Sequence, residues 1–241
     1  AKSENSNGIY AGGKLTISDG AKVNASGYFP ALFGNGGVSI ENSQIEATST
    51  GDVGIFSRGD ASIRNSTVKA SAAENYYAVA ANGETTVTGS WVETNHENSV
   101  KGGDITNSVL FNGNSGTVIG NATLLGNTTL DAGKTLVIPE GASLSVNAGN
   151  TFTNNGVVTV KGGFSTGNGG TLVCNSHSGG TATCAAPALC DVCRTPYGDK
   201  NPANHTALQH VDAKAATTEA EGNIEYWYCA GCGKYYSDAA A

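Results

Sequence analysis

The chain has 241 residues, of which 34 are glycine, 5 are proline and 14% are charged, with a formal net charge of −7. That length suits one or two domains, and the acidic balance excludes a nucleic-acid surface or a basic membrane-facing patch. No apolar run approaches the roughly 20 residues that span a bilayer, and low charge with many β-branched residues excludes a disordered chain.

The first hundred residues repeat. Aliphatic anchors fall at Ile17, Ile40, Ile63 and Val87, a second set at Val23, Ile45, Val68 and Val92, and a third at Ile9, Leu32, Ile55 and Val79. Each period therefore holds three short apolar segments of alternating pattern (Leu15-Thr16-Ile17, Val38-Ser39-Ile40), separated by Gly, Asn, Asp and Ser. Alternation is the signature of a strand, not a helix, and a period in the 20–50 range signals a solenoid. The fold predicted is all-β: a right-handed parallel β-helix of coils of about 23 residues, each burying its apolar side only against its neighbours. Outward positions should form hydroxyl ladders, Thr16-Ser39-Ser62-Thr86 and Ser26-Thr48-Ser71 ending at Asn95.

Residues 1–100 are read as regular coils. From 101 the units shorten but still alternate (Leu136 and Ile138, Leu144 and Val146, Val158 and Val160). The stretch 101–173 is read as the tapering end of the same solenoid, and the glycines at 162–163 and 167–170 as a flexible link. The first residues already lie inside a coil pattern, and there is neither methionine nor signal peptide. The chain therefore reads as a piece of a longer, processed protein. Five Asn-x-Ser/Thr sequons are expected by chance in so Asn-rich a chain and carry no weight.

All six cysteines lie in the last 68 residues. Cys190-Asp191-Val192-Cys193 and Cys229-Ala230-Gly231-Cys232 are two C-x2-C knuckles, each preceded by histidine, and the segments Cys190–Asp199 and Cys229–Asp238 align as a duplication. A C-x2-C turn presents two thiolates to one ion, and zinc takes four N or S ligands. The second site is expected to use His205, His210, Cys229 and Cys232. For the first, Cys174, His177, Cys184, Cys190 and Cys193 compete, one being spare (Cys174 or Cys184). Residues 174–241 are thus a small zinc-ribbon-like module with structural zinc, disulfides or reduced thiols being the alternatives. Redox chemistry is disfavoured because no βαβ pattern surrounds a knuckle.

The coil phrase, as in Gly12-Gly13-Lys14-Leu15-Thr16-Ile17 with its return through Gly54-Ile55, resembles β-helical carbohydrate-binding-domain-containing surface proteins of anaerobic Gram-positive bacteria. The tail, with His177–Cys184, the Cys190 knuckle and Gly222–Asp238, resembles modules repeated in large surface proteins of gut Firmicutes, departing from them at Thr218 and Arg194. The resemblance implies display outside the cell and a role in adhesion or glycan contact.

Glycoside hydrolysis needs two carboxylates roughly 5–10 Å apart. In the repeat Glu41 falls beside Arg64 and Ser18, and Glu46 between Asn24 and Lys69, which reads as solvated charge pairing. The chain is therefore expected to be no enzyme but an extracellular stalk or adhesin-like scaffold. Alternatives are a glycan-binding face on one side of the solenoid, with Tyr28, Phe29, Tyr76, Tyr77 and Trp91 as stacking candidates, and a polysaccharide lyase or hydrolase. Expected partners are glycans or a host surface protein, with end-to-end self-association through an open solenoid end and no nucleic acid.

Overall fold

The computed structural model describes residues 1–97, 99–206 and 208–239. It falls into two compact units, Ala1–Ser176 and His177–Ala241. Among the described residues there is no helix, hence none long and apolar enough to cross a membrane.

The first unit is a β-solenoid. Its opening coils are β1 (Ile9–Ala11), β2 (Lys14–Ile17) and β3 (Lys22–Gly27); β4 (Leu32–Gly34), β5 (Gly37–Glu41) and β6 (Gln44–Ser49); β7 (Ile55–Ser57), β8 (Ala61–Arg64) and β9 (Thr67–Ser71); β10 (Val79–Ala81), β11 (Thr85–Thr88) and β12 (Trp91–Thr94). A partial coil follows with β13 (Asp104–Thr106) and β14 (Ser108–Asn112). Pairing is parallel and in the register of the sequence ladders: Ile17↔Ile40↔Ile63↔Val87, Val23↔Ile45↔Val68↔Val92 and Ile9↔Leu32↔Ile55↔Val79. These residues stack into one apolar column, in which Ile40, Ile55, Ile63, Val68, Val79, Val87 and Val92 are fully buried.

The corner between the second and third strands of a coil has its own chemistry. Asn42, Asn65, Gly89 and Asn107 turn it with φ of 48°, 47°, 61° and 48°, a left-handed region that Gly and Asn reach most cheaply. The residue after each is serine, and Ser43, Ser66, Ser90 and Ser108 are buried. The backbone N–H of Ser43 donates to Ser66 Oγ (3.1 Å), that of Ser66 to Ser90 Oγ (3.2 Å) and that of Ser90 to Ser108 Oγ (3.1 Å). Each hydroxyl donates in turn to the carbonyl two residues back within its own coil, at 2.6 to 2.9 Å. Ser66→Ala orphans the buried Ser43 N–H, while the Arg64 carbonyl keeps the Asn42 N–H (3.1 Å), so it is expected to cost about 1–3 kcal/mol in urea unfolding. Ser62→Ala on the outer face should stay within about 0.5 kcal/mol.

The stack then reverses. β15 (Ser115–Ile119) pairs antiparallel with β14 through a hairpin at Gly113-Asn114. Three shorter coils follow: β15 with β16 (Asn121–Leu124) and β17 (Thr128–Leu130); β18 (Thr135–Ile138), β19 (Ser143–Val146) and β20 (Thr151–Asn154); β21 (Val157–Val160), β22 (Gly163–Thr166) and β23 (Thr171–Cys174). Within this second stack the pairing is again parallel. Two expectations change here. Residues 101–173 do not simply continue the first stack, because the hairpin inverts strand direction. The glycine-rich stretch read as a link carries β22, whose backbone pairs with β19; glycines at 162, 163 and 170 let neighbouring coils approach closely.

Trp91 and Glu93 belong to the outward face of β12, yet both are buried, at 3% and 7% exposure. The Trp91 ring packs against Phe111 (5.0 Å between centroids) and against Phe152 of the second stack (6.2 Å). Its Nε1–H donates to Glu93 Oε1 at 2.7 Å. Lys134 Nζ lies 2.5 Å from Glu93 Oε2 and 3.2 Å from Asp131, and Lys69 reaches Glu93 at 3.6 Å. Burial pushes the Lys134 ammonium down, but the Glu93 and Asp131 carboxylates outweigh it and hold its pKa above the ordinary 10.5. A folded pKa above the unfolded one contributes stability that is complete below pH 10.5 and lost as pH rises through the folded value. Lys134→Met leaves the buried Glu93 carboxylate with only the Trp91 N–H and the more distant Lys69, and is expected to cost about 3 kcal/mol. Its urea-midpoint deficit should be constant from neutral pH to about pH 10 and shrink above that.

The second unit is small: a hairpin of β24 (Ala188–Leu189) and β25 (Pro196–Tyr197), and an antiparallel sheet of β26 (Leu208–Val211), β27 (Tyr226–Cys229) and β28 (Lys234–Tyr236). Its buried side chains among the described residues are Ala188, Cys190, Val192 and Cys229.

Candidate metal centres

Each knuckle sits in a hairpin turn. Cys190 follows β24 and its N–H donates to Thr195 O (3.0 Å), while Arg194 N–H returns to Cys190 O (2.9 Å). Cys229 ends β27, and Gly233 N–H donates to Cys229 O at 2.8 Å. The residue after each knuckle is left-handed, Arg194 at φ 60° and Gly233 at φ 72°. Arginine pays a steric penalty there that glycine does not, so Arg194→Gly is expected to raise the module's unfolding free energy by about 1 kcal/mol.

Two groups of four donor atoms converge. Cys174, His177, Cys190 and Cys193 form one, and Cys184, His205, Cys229 and Cys232 the other, with all ligand atoms of a group within 4.8 Å of one another. Each is a Cys3His set, and both histidines present Nδ1: His177 Nδ1 lies 3.3 Å from Cys193 Sγ and His205 Nδ1 lies 3.7 Å from Cys232 Sγ. Cys184 and Cys229 Sγ atoms are 3.5 Å apart. A tetrahedral ion with Zn–S near 2.3 Å and Zn–N near 2.0 Å needs edges of roughly 3.5–3.8 Å, so these separations need little adjustment. The histidine rings are held alike: His177 stacks on Tyr197 (5.7 Å) and His205 packs on Tyr236 (4.6 Å). These two tyrosines occupy equivalent positions in the duplicated halves. Either group can hold one metal ion.

The electrostatics suit a cation. Against the opposing effect of burial, backbone N–H groups of the knuckle and of Ser178, together with the His177 ring, pull the Cys190 thiol down to about 6. Cys232 is likewise drawn to about 6 despite burial, by the Tyr236 hydroxyl and the Lys234 backbone. Cys184 is pushed up to about 11 by burial and by the neighbouring Cys229 and Cys232 sulfurs. Crowding three sulfurs this way disfavours three negative charges, and a dication among them would remove the conflict. The His177 ring is favoured in its protonated form by the Cys190 and Cys193 sulfurs.

The division of ligands differs from the expectation at two residues. Cys184, treated as a competitor for the first site, stands in the second. His210, expected there, is elsewhere: it lies opposite Trp227 in the β26–β27 register, two residues from Cys229. Its Nε2 is 2.7 Å from Glu225 and its Nδ1 3.6 Å from Asp212, with the ring 4.5 Å from that of Trp227. Cys174 joins the first group, so the spare among the nine candidates is His210. Aligning the two halves hid this, because Cys184 falls opposite Thr218.

The proposed stacking residues separate into two kinds. Tyr28, Phe29, Tyr76 and Tyr77 are 50%, 48%, 44% and 38% exposed, whereas Trp91 is buried and offers no face to a ligand. The structure also shows a ring ladder that sequence reasoning passed over: Tyr10 stacks on Phe33 (5.2 Å, 7°), and Phe33 adjoins Phe56 (5.7 Å). Phe33, 8% exposed, is covered by its neighbours, while Tyr10 is 64% exposed at the end of the ladder. Glu41 and Glu46 stand in backbone register with Arg64 and Lys69, but the expected charge pairs do not form: Glu46 accepts from Asn24 Nδ2 (2.7 Å), Arg64 Nε donates to Ser62 Oγ (3.3 Å), and Lys69 turns to Glu93 and Asp131.

A scan against protein-family descriptions and searches of curated proteins and of solved structures returned no match to this chain.

Proposed function

We propose that the chain is a non-enzymatic, extracellular scaffold, a β-helical stalk or adhesin-like segment, whose C-terminal module is held by two structural zinc ions. One observation carries the metal reading: each of two sites gathers a complete Cys3His set. Four protein ligands close a tetrahedral zinc and leave no position for a reactive water, which is the pattern of structural rather than catalytic zinc. The scaffold reading draws on the continuous apolar column and on outer faces where small hydroxyl side chains stand in register from coil to coil. Elemental analysis of protein purified without added metal should give two zinc per chain. Less than half an equivalent, with no titratable thiol, would replace zinc by disulfides.

A second reading rests on the exposed rings of Tyr28, Phe29, Tyr76 and Tyr77. Sugars stack on such faces, so these turns would bind a glycan. A glycan array comparing the parent with the Tyr76→Ala/Tyr77→Ala double variant tests it, and no glycan retained by the parent would end it.

A further inference from the structure

The ligands of the two sites alternate along the chain. Within residues 177–241, His177, Cys190 and Cys193 serve the first site, and Cys184, His205, Cys229 and Cys232 the second. Cys184 therefore lies inside the loop that the first site closes between His177 and Cys190. The segment from His177 to Cys184 ends in a ligand of a different site at either end.

Both halves of that segment are fastened. Near the first site, Asp191 N–H donates to Ser178 O (3.0 Å), Gly180 N–H to Asp191 Oδ1 (3.1 Å) and Tyr197 OH to Gly179 O (2.5 Å). Gly179 and Gly180 are both left-handed, at φ 80° and 62°, and a side chain on Gly180 would strike the Leu189 carbonyl. Near the second site, Asn204 Nδ2 donates to Ala182 O (2.7 Å), Asn201 N–H to Thr183 O (3.0 Å) and Cys184 N–H to Asn204 O (2.9 Å). Asn204 immediately precedes His205, so Cys184 and His205 reach the second site as one clamped pair.

We infer that the two sites bind metal cooperatively through the His177–Cys184 segment. The inference rests on the metal reading proposed above. The module has almost no apolar core, so most of the cost of ordering this segment falls on whichever ion binds first. An ion at the first site fixes His177 and the 178–180 strap against its knuckle. That leaves Cys184 within a few residues of its bound position, and the second ion has less chain to order. Linkage makes the effect reciprocal: each ion raises the affinity for the other by the same factor.

Cobalt(II) titration of the full chain tests this, since thiolate-to-metal absorption reports each centre. Cys232→Ser disables the second site and Cys193→Ser the first, so each variant gives the affinity of the site left intact. The parent is expected to bind two ions with an overall constant exceeding the product of the single-site constants by roughly 5–150-fold. Inserting two glycines after Thr181 keeps every ligand but uncouples the strap from Cys184, and should bring the excess down towards one. An overall constant equal to the product would overturn the coupling while leaving two metal sites in place. A parent that binds no cobalt would sink the metal reading and this inference with it.

Discussion

Stripping metal with a strong chelator at neutral pH is expected to unfold residues 177–241 and to leave the solenoid folded. The asymmetry follows from where apolar surface is buried. The first unit buries an apolar column in its opening coils and a second set (Leu130, Leu136, Ile138, Leu144, Val146, Phe152, Val158) in the reversed stack. The second unit buries Ala188 and Val192 besides its two knuckle cysteines. Structural zinc in small modules supplies roughly 10–16 kcal/mol of apparent binding free energy at neutral pH, which far exceeds what two small side chains contribute at about 25 cal/mol per Å2. Limited proteolysis read by mass spectrometry should show cleavage spreading through 177–239 after chelation, with the 1–173 region still protected. Acidification acts in the same direction, because the ligands must be deprotonated to bind. A tail equally protected with and without chelator would show that something other than metal holds it.

Trp91→Ala is expected to cost about 3–5 kcal/mol, the range for truncating a buried large aromatic. The indole touches Phe111 and Phe152, so its loss opens a cavity between the two stacks. It also removes the N–H that donates to Glu93, a carboxylate 7% exposed. Urea unfolding followed by far-UV circular dichroism measures the loss, with the exposed Tyr76→Ala as a reference expected within about 0.5 kcal/mol. A Trp91→Ala cost below 1 kcal/mol would mean the second stack does not cover that face.

The first stack is legible in the sequence because one coil position always holds the same kind of side chain. Ile17, Ile40, Ile63 and Val87 announce their register before any coordinates exist, and the pairing follows them. The reversal is less visible. Gly113-Asn114 flanked by alternating strands is a two-residue hairpin loop with glycine at its first position, but within a repeat it resembles one more turn between parallel strands. The buried serine ladder is written in the sequence too, as Asn-Ser or Gly-Ser at each corner. It escapes notice because serine suggests the surface, and only the corner geometry turns it inward. The knuckles mark the candidate ligands by spacing alone. Which distant residue completes each set depends on tertiary approach: spacing favours His210 for the second site, while the β26–β27 register sends that ring to Trp227 and Glu225. The vacancy is filled by Cys184, 45 residues from its partner Cys229.

The most direct measurement is crystallographic: anomalous difference density at the zinc edge for protein purified without added metal. Two peaks are predicted, one among Cys174, His177, Cys190 and Cys193 and one among Cys184, His205, Cys229 and Cys232, with His210 away from both. A disulfide between Cys184 and Cys229, or a second peak bound to His210 in place of Cys184, would contradict the account.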